Sequence, residues 1–486
     1  MMMLNFVFAA AVAVDFAQEV GKTRPELHGS GFGPMICSCP QESIDAIRSM
    51  GFKAARTHDW ALINPNERVC DNHHIFPLTH LDPKDPKSYH FAPTDYLLKR
   101  TREETGLDVF FRLGTSIEHS GDKVHFNTLI PDDFDRVAEN FAATVRHYNR
   151  GWADGFEWGI RHWEIWNEPD GHNNMWCLPD GDGTRGTPEC EEKTKIRRAK
   201  FVKFFVTCLK RLKDEFGDTI SVGGPAMCSM STAYFRDLLV ACKAAGVAPD
   251  FISWHHYAAD PEVLFGAIRT GRKLCDELGF PDCGLIINEW HYFGPYDWSD
   301  LRSPDPEKRA KVWTGPSAHN GIDSSCFNLA VLSGFQTSAL TQGYYYGCRH
   351  SGAWGFMDED RRPYKVYHGL KLFGGLMRDY TTLCEAKGEG AVSALAVKSA
   401  DGAKRALLVV DYRGQGREKR AVLGKFPGNR RDIAVDVKGV PAGTKVSAKV
   451  HDFTHDCEPC AVRFEDGRLT LTKADANSAA FLVTFE

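Results

Sequence analysis

From about Pro25 to Arg378 the chain repeats one pattern: a short apolar run, polar residues at its C-terminal end, then a longer stretch with apolar residues three and four apart. Short runs rich in β-branched and aromatic side chains predict strands, and the 3.6-residue period predicts helices. The predicted strands are His28 to Pro34, Phe52 to Asp59, Leu107 to Gly114, His162 to Asp170, Ile220 to Gly223, Phe251 to Tyr257, Leu285 to Trp290 and Gly343 to Tyr346. Helices are predicted between them, near Gln41 to Met50, Thr94 to Thr105, Asp132 to Tyr148, Lys195 to Phe216, Ala233 to Ala245, Val263 to Leu278 and Ser325 to Thr337. Strand–helix alternation of this length, with polar groups at the same end of every strand, is what a (β/α)8 TIM barrel requires. A doubly wound open sheet would call for a Gly-rich phosphate loop, and none is present.

From about Leu383 the texture changes to short alternating strands separated by Gly- and Asp-containing turns. The expectation is an α/β barrel over 25–380 and a C-terminal β-sandwich over 381–486. Residues 1–24 carry one further strand-like run, Asn5 to Phe16, expected to join the sandwich. A chain of 486 residues suits such a division.

Bulk properties narrow the function classes. A formal net charge of -5 supplies no basic footprint for nucleic acid. No apolar run reaches transmembrane length, and Leu4 to Val14 lacks the charged flank of a signal peptide. The 15 cysteines are odd in number and scattered, so no disulfide framework is predicted. Cys457-Glu458-Pro459-Cys460 has metal spacing without a second Cys/His pair, and free thiols or one local disulfide are expected there.

Two predicted strands share one ending, Asn167-Glu168-Pro169 on the fourth and Asn288-Glu289-Trp290 on the seventh. Pro169 stops the ladder and biases Glu168 towards an extended backbone. Carboxyls on those two strands face each other across a barrel mouth. Glycoside hydrolysis uses such a pair, one acid to protonate the leaving oxygen and one carboxylate on the other side of the sugar.

Trp163-Glu164-Ile165-Trp166-Asn167-Glu168-Pro169 and Ile287-Asn288-Glu289-Trp290 resemble the retaining glycoside hydrolases of clan A. Family 39, the β-xylosidase and α-L-iduronidase family, fits best. Arg56-Thr57-His58 and Asp250 to Tyr257 match further, and so does the adjoining β-domain. The resemblance implies that Glu168 is the general acid/base, Glu289 the nucleophile, and Asn167 a hydrogen-bond partner of the sugar 2-hydroxyl. The two carboxyls then need unlike environments and a separation of roughly 5–5.5 Å. Arg56 and Tyr257 are expected beside Glu289.

Glu164 lies on the same side as Glu168 but deeper, so it must be paired, with Arg112 or Arg56 as candidates, and is read as structural. His58, Glu118, His119 and His255 stand at strand ends, where they can contact sugar hydroxyls or simply hydrogen-bond along the rim. Trp290 is a further candidate for substrate contact, and Trp354 is the candidate stacking floor. Trp176, Tyr292, Phe293, Tyr296 and Trp298 supply possible loop walls, and Arg185, Arg302 and Arg349 would suit an acidic sugar. No metal or cofactor is expected. The function read from the residues and the resemblance is a retaining, exo-acting O-glycoside hydrolase on terminal xylose-like sugars, with a carbohydrate as its partner. A non-catalytic carbohydrate-binding barrel and a uronate-specific glycosidase are the alternatives, and transglycosylation would use the same residues.

Overall fold

The computed structural model describes residues 11–31, 41–60, 68–116, 128–171, 175–414 and 432–486. After β1 (Val12–Lys22), eight parallel strands close into a barrel: β2 (Gly29–Ser30), β3 (Ala54–Arg56), β4 (Asp108–Leu113), β5 (His162–Ile165), β6 (Ser221–Met227), β7 (Phe251–Ala258), β8 (Gly284–Tyr292) and β9 (Gln342–Tyr345). The helices are α1 (Gln41–Met50), α2 (Asn72–Ile75), α3 (Ala92–Thr105), α4 (Phe134–Arg150), α5 (Pro188–Phe216), α6 (Thr232–Ala244), α7 (Pro261–Leu278), α8 (Trp298–Leu301), α9 (Pro306–Trp313), α10 (Ile322–Phe335) and α11 (Lys365–Asp379).

Several boundaries differ from expectation, and local chemistry accounts for the clearest of them. In the first barrel strand, whose described part is Gly29–Ser30, a Cβ on Gly29 would come within 2.6 Å of the Tyr344 ring, so only glycine fits there. Helix α5 begins at Pro188 rather than Lys195, because the Thr187 side chain caps it by accepting from the Cys190 N–H and Pro188 occupies its first turn.

Strand alternation stacks the barrel interior in layers. Phe110, Phe251, Ile286 and Tyr344 form a lower apolar layer. Two residues further along the same strands and their neighbours come Arg56, Arg112, Glu164, Ser253 and Asn288, all buried. This polar layer lies directly beneath the C-terminal mouth. At the opposite end a cavity of about 280 Å³ opens among Lys53, Arg102, Trp158, His162, Gln342 and Tyr344, away from the carboxyl pair.

A small parallel pair, β10 (Arg349–Ser351) and β11 (Gly355–Met357), carries Trp354 in its connection. The remaining strands are β12 (Thr382–Gly388), β13 (Val392–Lys398), β14 (Arg405–Asp411), β15 (Asp432–Lys438), β16 (Val446–His451), β17 (Asp456–Cys460), β18 (Arg463–Glu465), β19 (Arg468–Thr472) and β20 (Ala479–Phe485). They form one hydrogen-bonded sheet in the order β17-β16-β20-β14-β13-β12-β1-β15-β19-β18, rather than two separately bonded layers. The sheet curls until its halves face each other: Phe16 on β1 meets Phe485 on β20 at 5.4 Å, and Phe464 on β18 meets the same ring at 5.7 Å. The sheet thus encloses its own core. Strand β1 covers Val12 to Phe16 of the expected run and continues to Lys22, and residues 1–10 lie outside the described part. Cys457 and Cys460 are free and stand on edge strand β17, where Pro459 is tolerated because one side of the strand has no ladder partner. The sheet is tied to the barrel by the Tyr412 hydroxyl, which donates to the Ala259 carbonyl, and by a Ser325–His451 contact of 2.9 Å.

Phe16 joins the two halves of the curled sheet, so Phe16→Ala is expected to destabilise the protein by about 3 kcal/mol. Urea unfolding followed by far-ultraviolet circular dichroism measures this. An unchanged midpoint would mean that β1 is dispensable to the sheet.

Candidate active site

Glu289 reaches the mouth through a local irregularity. His255 pairs with Glu289 while Trp254 pairs with Ile287, so β8 carries one extra residue, Asn288, relative to β7. The same extra residue shows against β9. Regular alternation would send Asn288 and Glu289 to opposite faces; the bulge lets both serve the interior. Asn288 donates from Nδ2 to Glu164 at 2.5 Å, and Glu289 meets Arg56 at 2.8 Å.

Glu168 is held by different means. Its φ is +45°, in the left-handed region, which corrects the extended conformation expected before proline. Its N–H donates to the Ala226 carbonyl, and its own carbonyl accepts from Gly171, so neighbouring backbone holds a conformation that costs about 1–3 kcal/mol. Strain of this kind is concentrated at functional sites.

Arg56 organises the polar layer. Its guanidinium donates from Nε to Glu164 at 2.6 Å, from one terminal nitrogen to Glu289 at 2.8 Å and from the other to Asn167 Oδ1 at 2.6 Å. Glu164 also accepts from the Ser253 hydroxyl at 2.5 Å. Its partner is therefore Arg56 and not Arg112, which pairs instead with Asp71 and Ser116. A buried carboxylate with three donors is a structural anchor.

One carboxyl oxygen from each of Glu168 and Glu289 and a ring nitrogen of His255 lie within 4.8 Å of one another. His255 bridges the pair, with Nδ1 2.6 Å from Glu168 and Nε2 3.4 Å from Glu289. Burial pushes the Glu168 carboxyl up to about 7, against the pull of Arg56. Burial raises Glu289 as well, and His255, Arg56 and the Tyr257 hydroxyl at 2.8 Å draw it back. Burial also holds His255 down to about 4, so the imidazole is neutral at pH 7 and Arg56 is the effective cation. With one N–H to give, the neutral ring can accept from protonated Glu168 and turn its N–H towards Glu289. Glu168, His255 and Glu289 are the one group among the described residues spaced to hold a metal ion, but Arg56 already places a positive charge against Glu289.

The other expected residues divide. His58 lies 3.4 Å from Glu289, and burial holds it well below the usual histidine range. Asn167 is buried, with Nδ2 left without a hydrogen-bond partner. Trp354 is half-buried, its ring 5.9 Å from Tyr257 and 5.1 Å from Tyr346. Trp290 does not reach the site: beyond the bulge it turns outward and is fully buried against Phe335 and Tyr345, so no sugar can touch it. Trp176, Tyr292, Phe293 and Tyr296 are core residues. Arg185 and Arg302 are exposed, whereas Arg349 is half-buried near Tyr346 and Asp59. Glu118 and His119 lie outside the described residues. Two residues of the site were not anticipated, Asp59 and Tyr346, joined by a hydroxyl–carboxylate bond of 3.2 Å. Their place at the ends of the second and eighth barrel strands was the available signal.

A closed parallel barrel with glutamates at the ends of its fourth and seventh strands, beside a curled β-domain, resembles the clan A glycoside hydrolases, and family 39 among them. No protein-family profile matches the chain. A β-xylosidase from Geobacillus stearothermophilus is 25% identical over 196 residues, which is 35% of this chain and 34% of that protein, so the match spans about a third of the relative's length. A glucosidase from Croceicoccus marinus shares the fold with a TM-score of 0.70 at 20% identity, over 99% of both chains. A family 39 β-xylosidase from Caulobacter crescentus does so at 0.64 and 15% identity, over 98% of this chain and 99% of that one.

Because Glu168 keeps its proton to about pH 7 when folded, and its ordinary value is 4.5, ionising it opposes folding. The stability it confers is full below about pH 4.5 and is lost as pH rises through about 7. Glu168→Gln should therefore gain about 3 kcal/mol on the parent between acid and mildly alkaline pH, read from urea midpoints at both. An equal difference at the two pH values would mean that Glu168 titrates normally.

Proposed function

We propose that the protein is a retaining O-glycoside hydrolase acting by double displacement, with Glu168 as acid/base and Glu289 as nucleophile. The observation that carries this reading is the pair: carboxyl oxygens within 4.8 Å, one raised to about 7 beside a neutral imidazole, the other gripped by Arg56 and Tyr257. That spacing favours retention, where the carboxyls stand roughly 5–5.5 Å apart, over inversion at about 6.5–9.5 Å.

In the first step Glu289 attacks the anomeric carbon while Glu168 gives its proton to the departing glycosidic oxygen. The C–O bond breaks, and an ester joins the sugar to Glu289. In the second step Glu168, now a carboxylate, takes a proton from water. The water oxygen attacks the anomeric carbon, and Glu289 leaves as a carboxylate that Arg56 and Tyr257 stabilise. Arg56 fixes Asn167 through its Oδ1, which leaves Nδ2 free to donate to a sugar hydroxyl near the reacting carbon. His58, His255 and Trp354 complete the sugar-facing surface. The β-xylosidase relative supports xylose or a similar sugar as the unit released, and exo action on a terminal sugar is part of the same proposal. The polar, aromatic mouth suits a carbohydrate, and among the described residues no helix is long and apolar enough to cross a membrane.

A panel of aryl xylosides, arabinosides, glucosides and uronides tests the reading, with product configuration followed by proton NMR. On the best substrate Glu289→Gln and Glu168→Gln should each lower turnover by about 10²–10⁴-fold, the latter least when the leaving group is activated. The parent kcat/KM should fall as pH rises past about 7, when Glu168 loses its proton. If both variants match the parent, the assignment is wrong; sugar binding without turnover would point to a non-catalytic barrel.

A further inference from the structure

The loop after β8 is rich in aromatic side chains, and the structure sorts them. Tyr292, Phe293 and Tyr296 are buried, whereas Trp298 is 47% exposed at the barrel mouth. Single exposed apolar residues are common, so position and rigidity decide whether this one matters. Trp298 opens α8, whose start is locked by reciprocal capping: the Asp297 carboxylate accepts from the Ser299 and Asp300 N–H groups at 2.8 and 3.0 Å, and Asp300 accepts from the Asp297 N–H at 3.0 Å. Lys308 and Lys311 add weaker ties to Asp300 at 3.8 and 3.6 Å. The indole is therefore both exposed and held.

Its contacts point back to the chemistry. The ring lies 4.5 Å from Phe293, 5.2 Å from Tyr257 and 5.9 Å from Trp354. Tyr257 is the residue whose hydroxyl donates to Glu289. Trp298 thus stands one side chain outward from the nucleophile, continuing the aromatic surface that Trp354 begins. A ring already fixed in place loses little conformational freedom when a ligand covers it. Its apolar face matches the C–H face of a neutral sugar, as aromatic walls with few polar groups do in small-molecule sites.

Resting on the hydrolase reading, we infer that Trp298 is the platform for a second sugar ring, the neighbour of the unit at Glu289, so that the substrate is a di- or oligosaccharide glycoside. The test compares two substrates with the terminal sugar that performs best in the aryl panel: its disaccharide, and its glycosyl fluoride, whose leaving group has no ring to stack. In Trp298→Ala the ratio of the disaccharide kcat/KM to the fluoride kcat/KM should fall about tenfold, mostly through KM, and Trp298→Phe should restore most of it. An unchanged ratio overturns the proposal, whether both substrates are lost together or neither is affected. If the parent cleaves neither substrate, the hydrolase reading fails on its own. The platform is then judged by calorimetric binding of disaccharide against monosaccharide to the parent and to Trp298→Ala, where loss of the disaccharide's advantage supports it and its persistence refutes it.

Discussion

A single buried guanidinium sets the terms for the rest of the site. Arg56 has no access to water, so its charge must be met inside the barrel. Two carboxylates and an amide, from β8 and from β5 and its C-terminal end, meet it, and each is thereby fixed in orientation. Glu164 is the partner that makes this arrangement tolerable. Without it Glu289 would be the one carboxylate left among the groups bonded to Arg56. The deep glutamate of the motif thus holds the cation, and under the proposed hydrolysis the rim glutamate moves protons.

Backbone irregularity does the remaining placement. A bulge delivers Asn288 and Glu289 to the same side of β8, and a left-handed residue aims Glu168. Neither device is favourable in isolation. Both lie at the rim, where strand pairing ends and neighbouring hydrogen bonds can hold an unfavourable geometry. The layer below, made of Phe110, Phe251, Ile286 and Tyr344, is regular and apolar and provides the rigid base.

Much of this was legible in the residues. The alternation of apolar runs and amphipathic segments predicts the barrel, and the twin Asn-Glu endings mark the strands whose ends matter. Arg56, Asn167, His58, His255 and Tyr257 all come to the carboxyl pair, since strand ends converge in a closed barrel whatever their loops do. Trp290 misled because counting alternation along β8 requires knowing where the bulge falls, and no residue type announces a bulge. The choice between Arg56 and Arg112 for Glu164 was equally hidden. Both arginines point inward from adjacent strands, and only the nearby Asp71, brought in by a loop, claims Arg112. The loop aromatics could not be sorted for a similar reason: burial of Tyr292 and Tyr296 against exposure of Trp298 is decided by tertiary packing, not by composition.

The central place of β1 in the curled sheet has a kinetic side. Val12 pairs with Gly388 on one flank and with Val435 on the other, so β1, made before the barrel strands, finds its partners only after the barrel has been made. Long-range pairings of this sort are slow to form. During synthesis the barrel can close while β1 still offers two open edges, and β12 and β15, made after the barrel, then draw β1 into the sheet. Completion of the β-domain is in this sense a clasp that joins the segments on either side of the barrel.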